Sequence, residues 1–246
     1  GTVAEGKLRG EVELRNVTFG YNPLQPPLIQ DFNLHLMPGK SVAFVGSSGC
    51  GKSTLAKLIS GLYKPWSGEI LFDGRPIDTI SKEEMTNSVA VVDQNVVLFD
   101  DTVAQNIKMW DQSIEDFTMV MACNDAQIRK DIVSRPEGFA TRLVKGGQNF
   151  SGGQRQRMEI ATALAKEPVV LIMDEATSAL DPTTEEQVME AVRMMGATQI
   201  IVAHRLSTIR DCDEIIVMDQ GKIMQRGTHD ELMEKEGMYK ELMKSV

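Results

Sequence analysis

The sequence predicts an α/β fold in which a phosphate-binding loop joins a buried strand to a helix. It also predicts an antiparallel β layer on one edge and an inserted helical subdomain. Residues 46–53 carry the loop pattern between an apolar run and a helical run. Apolar residues alternate in two segments before that loop, and a helical pattern extends from about residue 102 to residue 133. Early antiparallel strands followed by a strand–loop–helix unit indicate these layers.

Half-buried strands are expected on both sides of the loop. Residues 11–19 and 32–36 alternate at period two, and three prolines make residues 20–27 a loop. The apolar run 41–45 predicts a buried strand leading into the phosphate loop. The turn residues Asp73-Gly74 follow a further strand, which we expect to be antiparallel.

Buried strands and helices alternate in the rest of the chain. Ser81-x-x-Glu84 predicts a capping box at the start of a short helix, and residues 89–93 predict a fully buried apolar strand. The remaining expected elements are helices at 54–61, 102–108, 113–122, 125–133, 153–165 and 182–195, strands at 169–173 and 199–203, a hairpin over 213–225, and two final helices.

Composition is that of an ordinary globular protein. Of the 246 residues, 42% are apolar and 25% are charged. The net charge of −9 argues against a non-specific nucleic-acid binder. Three scattered cysteines are too few for a disulfide framework or a metal site, and no apolar run approaches the roughly 18 residues of a membrane span. The start at Gly1 without an initiator Met leads us to expect a piece of a longer protein.

The phosphate loop has the residue types that its chemistry requires. Its members are Gly46, Ser47, Ser48, Gly49, Cys50, Gly51, Lys52 and Ser53. The glycines allow backbone N–H groups to face a phosphate, and the helix N-terminus adds partial positive charge. Lys52 can reach the β- and γ-phosphates, and the hydroxyl of Ser53 can hold Mg²⁺. The alternative is a Gly/Ser-rich loop that matches by chance.

Two acidic residues follow the predicted strand 169–173. An aspartate at the carboxyl end of a buried strand beside a phosphate loop is suited to hold Mg²⁺, which makes Asp174 a candidate ligand. Glu175 can then orient the attacking water or accept its proton. The alternative is an acidic pair that only caps the segment after the strand.

A second anion-binding element is predicted about 100 residues after the first. Ser151, Gly152, Gly153 and Gln154 open a predicted helix, and a serine with two glycines at a helix start can bind an anion. The alternative is a simple serine N-cap with a flexible lead-in.

These motifs together resemble the nucleotide-binding domain of the ATP-binding cassette (ABC) family over essentially the whole chain. The resemblance implies a P-loop NTPase (RecA-like) core, with residues 1–10 as a linker or tail, the domain at 11–246 and its helical subdomain at about 95–152. In chain order the family motifs stand as Walker A at 46–53, the Q-loop at Gln94, the signature at 151–154, Walker B at 169–174 with the catalytic Glu175, the D-loop at 178–181 and the switch His204.

The resemblance implies an ATPase that uses Mg²⁺ and forms a head-to-tail homodimer. Each ATP would lie between Walker A of one chain and the signature of the other. Tyr21 stands where the family stacks an aromatic ring on adenine. The catalytic residues would be Glu175, His204 and Gln94, the metal ligands Ser53, Gln94 and Asp174, and the nucleotide contacts Tyr21, residues 46–53, Thr54, residues 151–154 and Asp181.

Residues 102–107 and 201–208 resemble exporters rather than importers. This implies transmembrane-domain partners and a place on the cytoplasmic face of the plasma membrane, for a fragment that is itself soluble. Residues 149–157 are similar to bacterial peptide exporters of the bacteriocin type, although Phe150 replaces the usual Leu. Two other functions stay open: a soluble ABC ATPase acting on nucleic acid or ribosomes, and a regulatory module that binds nucleotide without hydrolysis. For Cys50, a redox brake on ATP binding competes with simple tolerance of a small residue.

Overall fold

The computed structural model describes residues 6–47 and 49–244, and its α/β architecture confirms the predicted fold class. The chain divides into two compact units. The first contains the described residues up to Val91, residues 169–174 and the described residues from 196 onward. The second contains residues 92–168 and 175–195. No described helix is long and apolar enough to cross a membrane.

The first unit contains a four-stranded antiparallel sheet in the order β2-β1-β4-β5. Its strands are β1 (Val12–Phe19), β2 (Ile29–Leu36), β4 (Ser67–Phe72) and β5 (Arg75–Pro76). Leu14 of β1 pairs with Leu34 of β2, and both side chains are buried. The period-two alternation therefore places one apolar face of this sheet in the core, as the sequence predicts.

A six-stranded, mostly parallel sheet has the order β10-β9-β3-β8-β7-β6. Its strands are β3 (Ser41–Gly46), β6 (Val89–Asp93), β7 (Val170–Asp174), β8 (Thr198–Val202), β9 (Glu214–Asp219) and β10 (Lys222–Gly227). β3 lies between β8 and β9 and is parallel to both, and all six of its residues are buried. The two sheets share a core, in which Phe32 of β2 packs edge-to-face on Phe44 of β3 at 6.0 Å.

Helix α1 (Lys52–Ile59) packs on β3, β7 and β8 within the first unit. The other described α-helices of this unit are α2 (Lys82–Ser88), α8 (Leu206–Ile209), α9 (His229–Met233) and α10 (Met238–Lys244). The sequence did not predict α8. Only half of the predicted capping box forms at α2, because the Ser81 hydroxyl accepts from the Glu84 amide while the Glu84 carboxylate binds Arg75.

Burial of β6 departs from the prediction. Residues 89–93 were expected to be buried throughout, but Val91 is 48% exposed while Ala90 and Val92 are buried. β6 is an edge strand of its sheet and only one of its faces is covered. An uninterrupted apolar run therefore does not distinguish a central strand from a half-covered edge strand here.

The second unit is helical. Its α-helices are α3 (Val103–Lys108), α4 (Asp116–Asp125), α5 (Arg129–Val133), α6 (Gly152–Ala165) and α7 (Pro182–Met194), and α4 packs on both α6 and α7. α4 starts three residues later than predicted because the Asp111 carboxylate accepts from the amide and hydroxyl of Ser113 and holds a turn. α5 starts four residues later than predicted, after Gln127 takes a left-handed φ of 61° that separates it from α4.

The packed chain begins earlier than the predicted boundary at residue 11. Leu8 is 2% exposed, and its amide donates to the Ser88 hydroxyl at 2.9 Å. The amides of Gly10 and Glu11 both donate to Oδ1 of Asp73. Residues 8–10 are therefore part of the packed first unit, because an apolar side chain is buried and the backbone donors find fixed acceptors. Residues 1–5 of the predicted linker lie outside the described residues.

Candidate functional site

The phosphate loop connects β3 to α1 in the first unit, as predicted. The ammonium of Lys52 donates to the Gly46 carbonyl at 2.7 Å, and Lys52 is only 5% exposed. Gly51 caps α1 with a left-handed φ of 105°, a conformation that favours glycine. The loop thus holds a buried cation beside a helix N-terminus, an arrangement suited to a phosphate. Ser48 lies outside the described residues.

Ser53 and Asp174 meet although they are far apart in sequence. The Ser53 hydroxyl donates to Oδ1 of Asp174 at 3.1 Å. Ser53 stands in the first turn of α1 and Asp174 is the last residue of β7. A hydroxyl oxygen and a carboxylate oxygen are ligands of the kind that Mg²⁺ prefers, so this pair fits the predicted metal.

Tyr21 is held at the edge of the first unit by its hydroxyl and by two aromatic neighbours. Its hydroxyl lies 2.8 Å from the Thr54 hydroxyl. Its ring packs edge-on against Phe19 at 5.3 Å and Tyr63 at 5.5 Å. Tyr21 remains 59% exposed, so its ring is fixed in place yet available to a planar base.

Cys50 is buried although it belongs to the loop. Burial raises the pKa of its thiol, an effect that nearby Lys52 partly opposes. A buried thiol with a raised pKa is a poor nucleophile at neutral pH. The structure therefore favours simple tolerance of a small residue here over the redox brake.

Glu175 directly follows β7 with a left-handed φ of 54°. Such a conformation is uncommon for a residue with a side chain and typically costs on the order of 1–3 kcal/mol, a form of strain that clusters at functional sites. Further along, the Asp181 carboxylate accepts from the Thr184 amide at 2.8 Å and caps α7. That hydrogen bond lowers the pKa of Asp181. Its observed contact is thus a helix cap.

Ser151 to Gln154 form the start of α6 in the second unit. The Ser151 hydroxyl accepts from the Gln154 amide at 3.1 Å, and the Gln154 side chain accepts from the Ser151 amide at 2.9 Å. This reciprocal pair is a capping box, so the serine N-cap alternative is present in the structure. Ser151 and Gly152 are exposed, which leaves this helix start accessible.

Gln94 and His204 each stand just beyond the end of a strand, as predicted. Gln94 follows β6 in the second unit and His204 follows β8 in the first unit, and both side chains are exposed. Downstream of Gln94, the buried Asn106 holds the loop: its carboxamide accepts from the Phe99 amide at 2.8 Å and donates to the Phe99 carbonyl at 3.0 Å.

Three residues within the exporter-like stretches 102–107 and 149–157 were given no role of their own from the sequence. Asn106, Gln156 and Arg157 all use their side chains to fix loop backbone or to pair within the second unit. Asn106 and Gln156 are buried polar residues inside helices. The available sequence signal was the helical spacing, which places Asn106 and Gln156 among apolar positions of their helices. This signal is weak, because the same spacing also suits an amide that faces solvent.

The buried lysine inside a strand–loop–helix turn and the adjoining Ser53–Asp174 pair define a P-loop nucleotide-binding protein. A family model described as ABC transporter matches residues 29–178, and the chain belongs to that family. It is a nucleotide-binding ATPase domain of that family. This membership confirms the resemblance seen in the sequence motifs.

Relatives and a solved structure agree with this assignment. An ATP-dependent lipid A-core flippase of Hahella chejuensis is 43% identical, covering 99% of this chain and 42% of the flippase. A mitochondrial iron–sulfur clusters transporter, atm1, of Neurospora crassa is 40% identical, covering 96% of this chain and 34% of the transporter. The structure of a bacterial Atm1-family ABC exporter with ATP bound has a TM-score of 0.91 and 36% identity, covering 100% of this chain and 43% of that one. The chain thus spans less than half the length of these relatives.

Proposed function

We propose that this chain hydrolyses ATP as the nucleotide-binding domain of an exporter, and that ATP joins two copies head to tail. The observation that carries the proposal is the first unit's phosphate loop, where buried Lys52 lies beside the Ser53–Asp174 pair. A cation next to two oxygen ligands suits a nucleoside triphosphate with its metal. The similarity to a flippase and to an exporter supports the transport role.

Ser53 and Asp174, with Gln94, would hold Mg²⁺ at this loop. When bound, the metal neutralises charge on the β- and γ-phosphates. Lys52 would bind the same phosphates, together with the amides of residues 46–53 and Thr54. The exposed ring of Tyr21 would stack on adenine, an interaction typically contributing about 1–3 kcal/mol per base. These residues bind and align the nucleotide before any bond changes.

Glu175 would accept the proton of the attacking water, and His204 and Gln94 would hold that water in line with the γ-phosphate. In-line phosphoryl transfer depends on positioning and charge stabilisation, since the protein has little covalent chemistry to do. The left-handed backbone at Glu175 supports this role, because it is a strained conformation placed directly after a metal-ligand candidate.

The partner's Ser151, Gly152, Gly153 and Gln154 would close each ATP site, with Asp181 near the same interface. The exposed start of α6 supports this part of the proposal, because the helix dipole favours an anion at that position. The functional unit would then be a homodimer with two ATP molecules at its interface.

The loop after Gln94 would receive the transmembrane domain. Val97, Phe99 and Trp110 are exposed, and Phe99 packs edge-to-face on Trp110 at 5.4 Å. Exposed apolar and aromatic side chains on a fixed loop are suited to a protein contact.

The proposal also includes the domain bounds and the location. We place the helical subdomain at about residues 95–152 and the start of the domain near Leu8. We place the whole assembly on the cytoplasmic face of the plasma membrane. The most specific part of this proposal is that the exported substrate is a peptide, as residues 149–157 predict.

The test replaces Glu175 with Gln. ATP binding should persist while steady-state phosphate release falls by at least a hundredfold, because the amide cannot accept a proton. With ATP the variant should accumulate as a dimer in size-exclusion chromatography with light scattering. Glu186→Gln, the same change at an exposed position of α7, is the matched control and should hydrolyse ATP normally. Wild-type turnover in Glu175→Gln would overturn the assignment.

A further inference from the structure

A buried glutamine joins two segments of the second unit. Gln156 lies in α6 and is 2% exposed. Its Nε2 donates to the Ser178 hydroxyl at 3.2 Å, and its Oε1 accepts from the Ala179 amide at 2.8 Å. Both ends of one carboxamide are therefore bound to the loop that precedes α7.

The loop also approaches the first turn of α6 closely. A Cβ added to Gly153 would lie 3.2 Å from the Ala179 carbonyl oxygen, a distance tighter than most Cβ contacts. The Ser151 hydroxyl caps α6 and the Asp181 carboxylate caps α7. The first turn of α6 and the loop before α7 are therefore each fixed to the start of a helix. The loop and the signature turn thus contact each other through Gly153 and through the Gln156 side chain.

We propose that Gln156 is a positioning residue that clamps residues 178–181 to the first turn of α6. Ser151 and Asp181 are then presented to the second copy of the chain as one body. This rests on the proposed function, in which both segments act across the dimer interface. An amide is suited to the task because it accepts and donates at once, with fixed geometry.

A positioning role and a purely structural role for Gln156 predict different effects of replacing it. Ser178 and Ala179 are exposed, so water can replace the hydrogen bonds that Gln156 makes to them. Loss of the clamp should therefore free the loop more than it destabilises the fold. A structural glutamine would instead lower stability without separating ATP binding from turnover.

The first measurement separates binding from turnover. Gln156→Leu, which keeps the volume and loses both hydrogen bonds, should lower kcat by roughly tenfold. Its Kd for ATP, measured by calorimetry on the isolated chain, should stay unchanged because the phosphate loop belongs to the first unit. Gln156→Glu should recover part of kcat, since a carboxylate can accept from both the Ala179 amide and the Ser178 hydroxyl. Thr162→Val removes a hydroxyl that donates to the Met158 carbonyl of the same helix and is the matched control.

The second measurement does not depend on turnover. Amide hydrogen exchange of a peptide covering residues 175–181, without nucleotide, should be faster in Gln156→Leu and unchanged in Thr162→Val. Ser178→Ala, which alters an exposed loop residue and removes one of the two bonds, should be intermediate and is available if Gln156→Leu does not fold.

Faster exchange with lower kcat and unchanged Kd supports the positioning role. Unchanged exchange overturns the clamp, and faster exchange with wild-type kcat overturns its role in the reaction. A wild-type chain that does not turn over ATP overturns the proposed function instead, while the exchange comparison still decides whether the clamp exists.

Discussion

At the scale of single residues, Tyr21 allows base recognition to be tested separately from phosphate binding. Its ring is exposed and its hydroxyl contacts Thr54, next to the phosphate loop. Tyr21→Ala should weaken ATP binding roughly tenfold because base stacking is lost, whereas Tyr21→Phe keeps the ring and should lose less. Calorimetry with ATP tests this. Tripolyphosphate has no base, and its affinity should be the same for wild type and Tyr21→Ala; a parallel loss would contradict a stacking role.

Glu159 predicts a pH dependence of stability. Burial raises its pKa to about 7, and the neighbouring charge of Asp93 adds to the rise. The native state therefore retains a proton that the unfolded chain has lost between about pH 4.5 and pH 7, so this group lowers stability as pH rises through that window. Glu159→Gln mimics the protonated form. Its Tm should exceed that of wild type at pH 8 and match it near pH 4.5; an equal Tm at both pH values would refute the prediction.

At the scale of elements, the loop before α3 depends on one buried amide. Asn106 bonds both the amide and the carbonyl of Phe99, and also donates to the Thr102 carbonyl. Asn106→Ala should lower the free energy of unfolding by about 2 kcal/mol, because backbone groups lose their partners. Urea unfolding measures this. Gln105→Ala, at the exposed neighbouring position, should change stability by no more than about 0.5 kcal/mol.

Most elements could be predicted from local pattern, and the wrong predictions have two physical causes. β3 and β8 are buried on both faces, so their apolar runs indicate the correct structure and burial. β6 has the same kind of run but lies at a sheet edge, which only the assembled sheet determines. The start of α4 was missed because a side-chain turn at Asp111 competes with the helix. The phosphate loop was predictable because strand, loop and helix are contiguous.

For contacts between distant parts of the sequence, the expected topology predicted some pairs at the site but not others. Proximity of Ser53 to Asp174 followed from the expected topology of parallel strands. The contact between Gln156 and Ala179 did not, since neither residue type nor spacing identifies the acceptor of a buried amide. The left-handed backbone of Glu175 was equally out of reach, because glutamate has no preference for that conformation.

At the scale of the whole molecule, ATP should stabilise the chain by mass action. A ligand at 100 times its Kd adds about 2.7 kcal/mol to the free energy of unfolding. The Tm of wild type should therefore rise with ATP concentration, and Lys52→Ala should lose most of that rise because the buried cation of the loop is gone. Scanning fluorimetry measures both. An undiminished rise in Lys52→Ala would place the nucleotide elsewhere.

Net charge gives a second prediction at this scale. With −9 overall, the chain should repel nucleic acid, so added DNA or RNA should leave ATP turnover unchanged at low ionic strength. Stimulation that disappears with salt would favour the soluble, nucleic-acid-directed alternative over an exporter.

Gly46 belongs to the sheet as much as to the loop. It pairs with Met218 of β9, and a Cβ at this position would lie 2.2 Å from the Met218 carbonyl oxygen. A mutational survey that scores only nucleotide binding would assign Gly46 to ligand recognition. Gly46→Ala would instead disrupt the packing of β3 against β9. Measuring protein abundance together with nucleotide binding would distinguish this effect from a loss of binding caused by replacing Lys52. The first glycine of the loop is thus required by the neighbouring strand as well as by the phosphate loop.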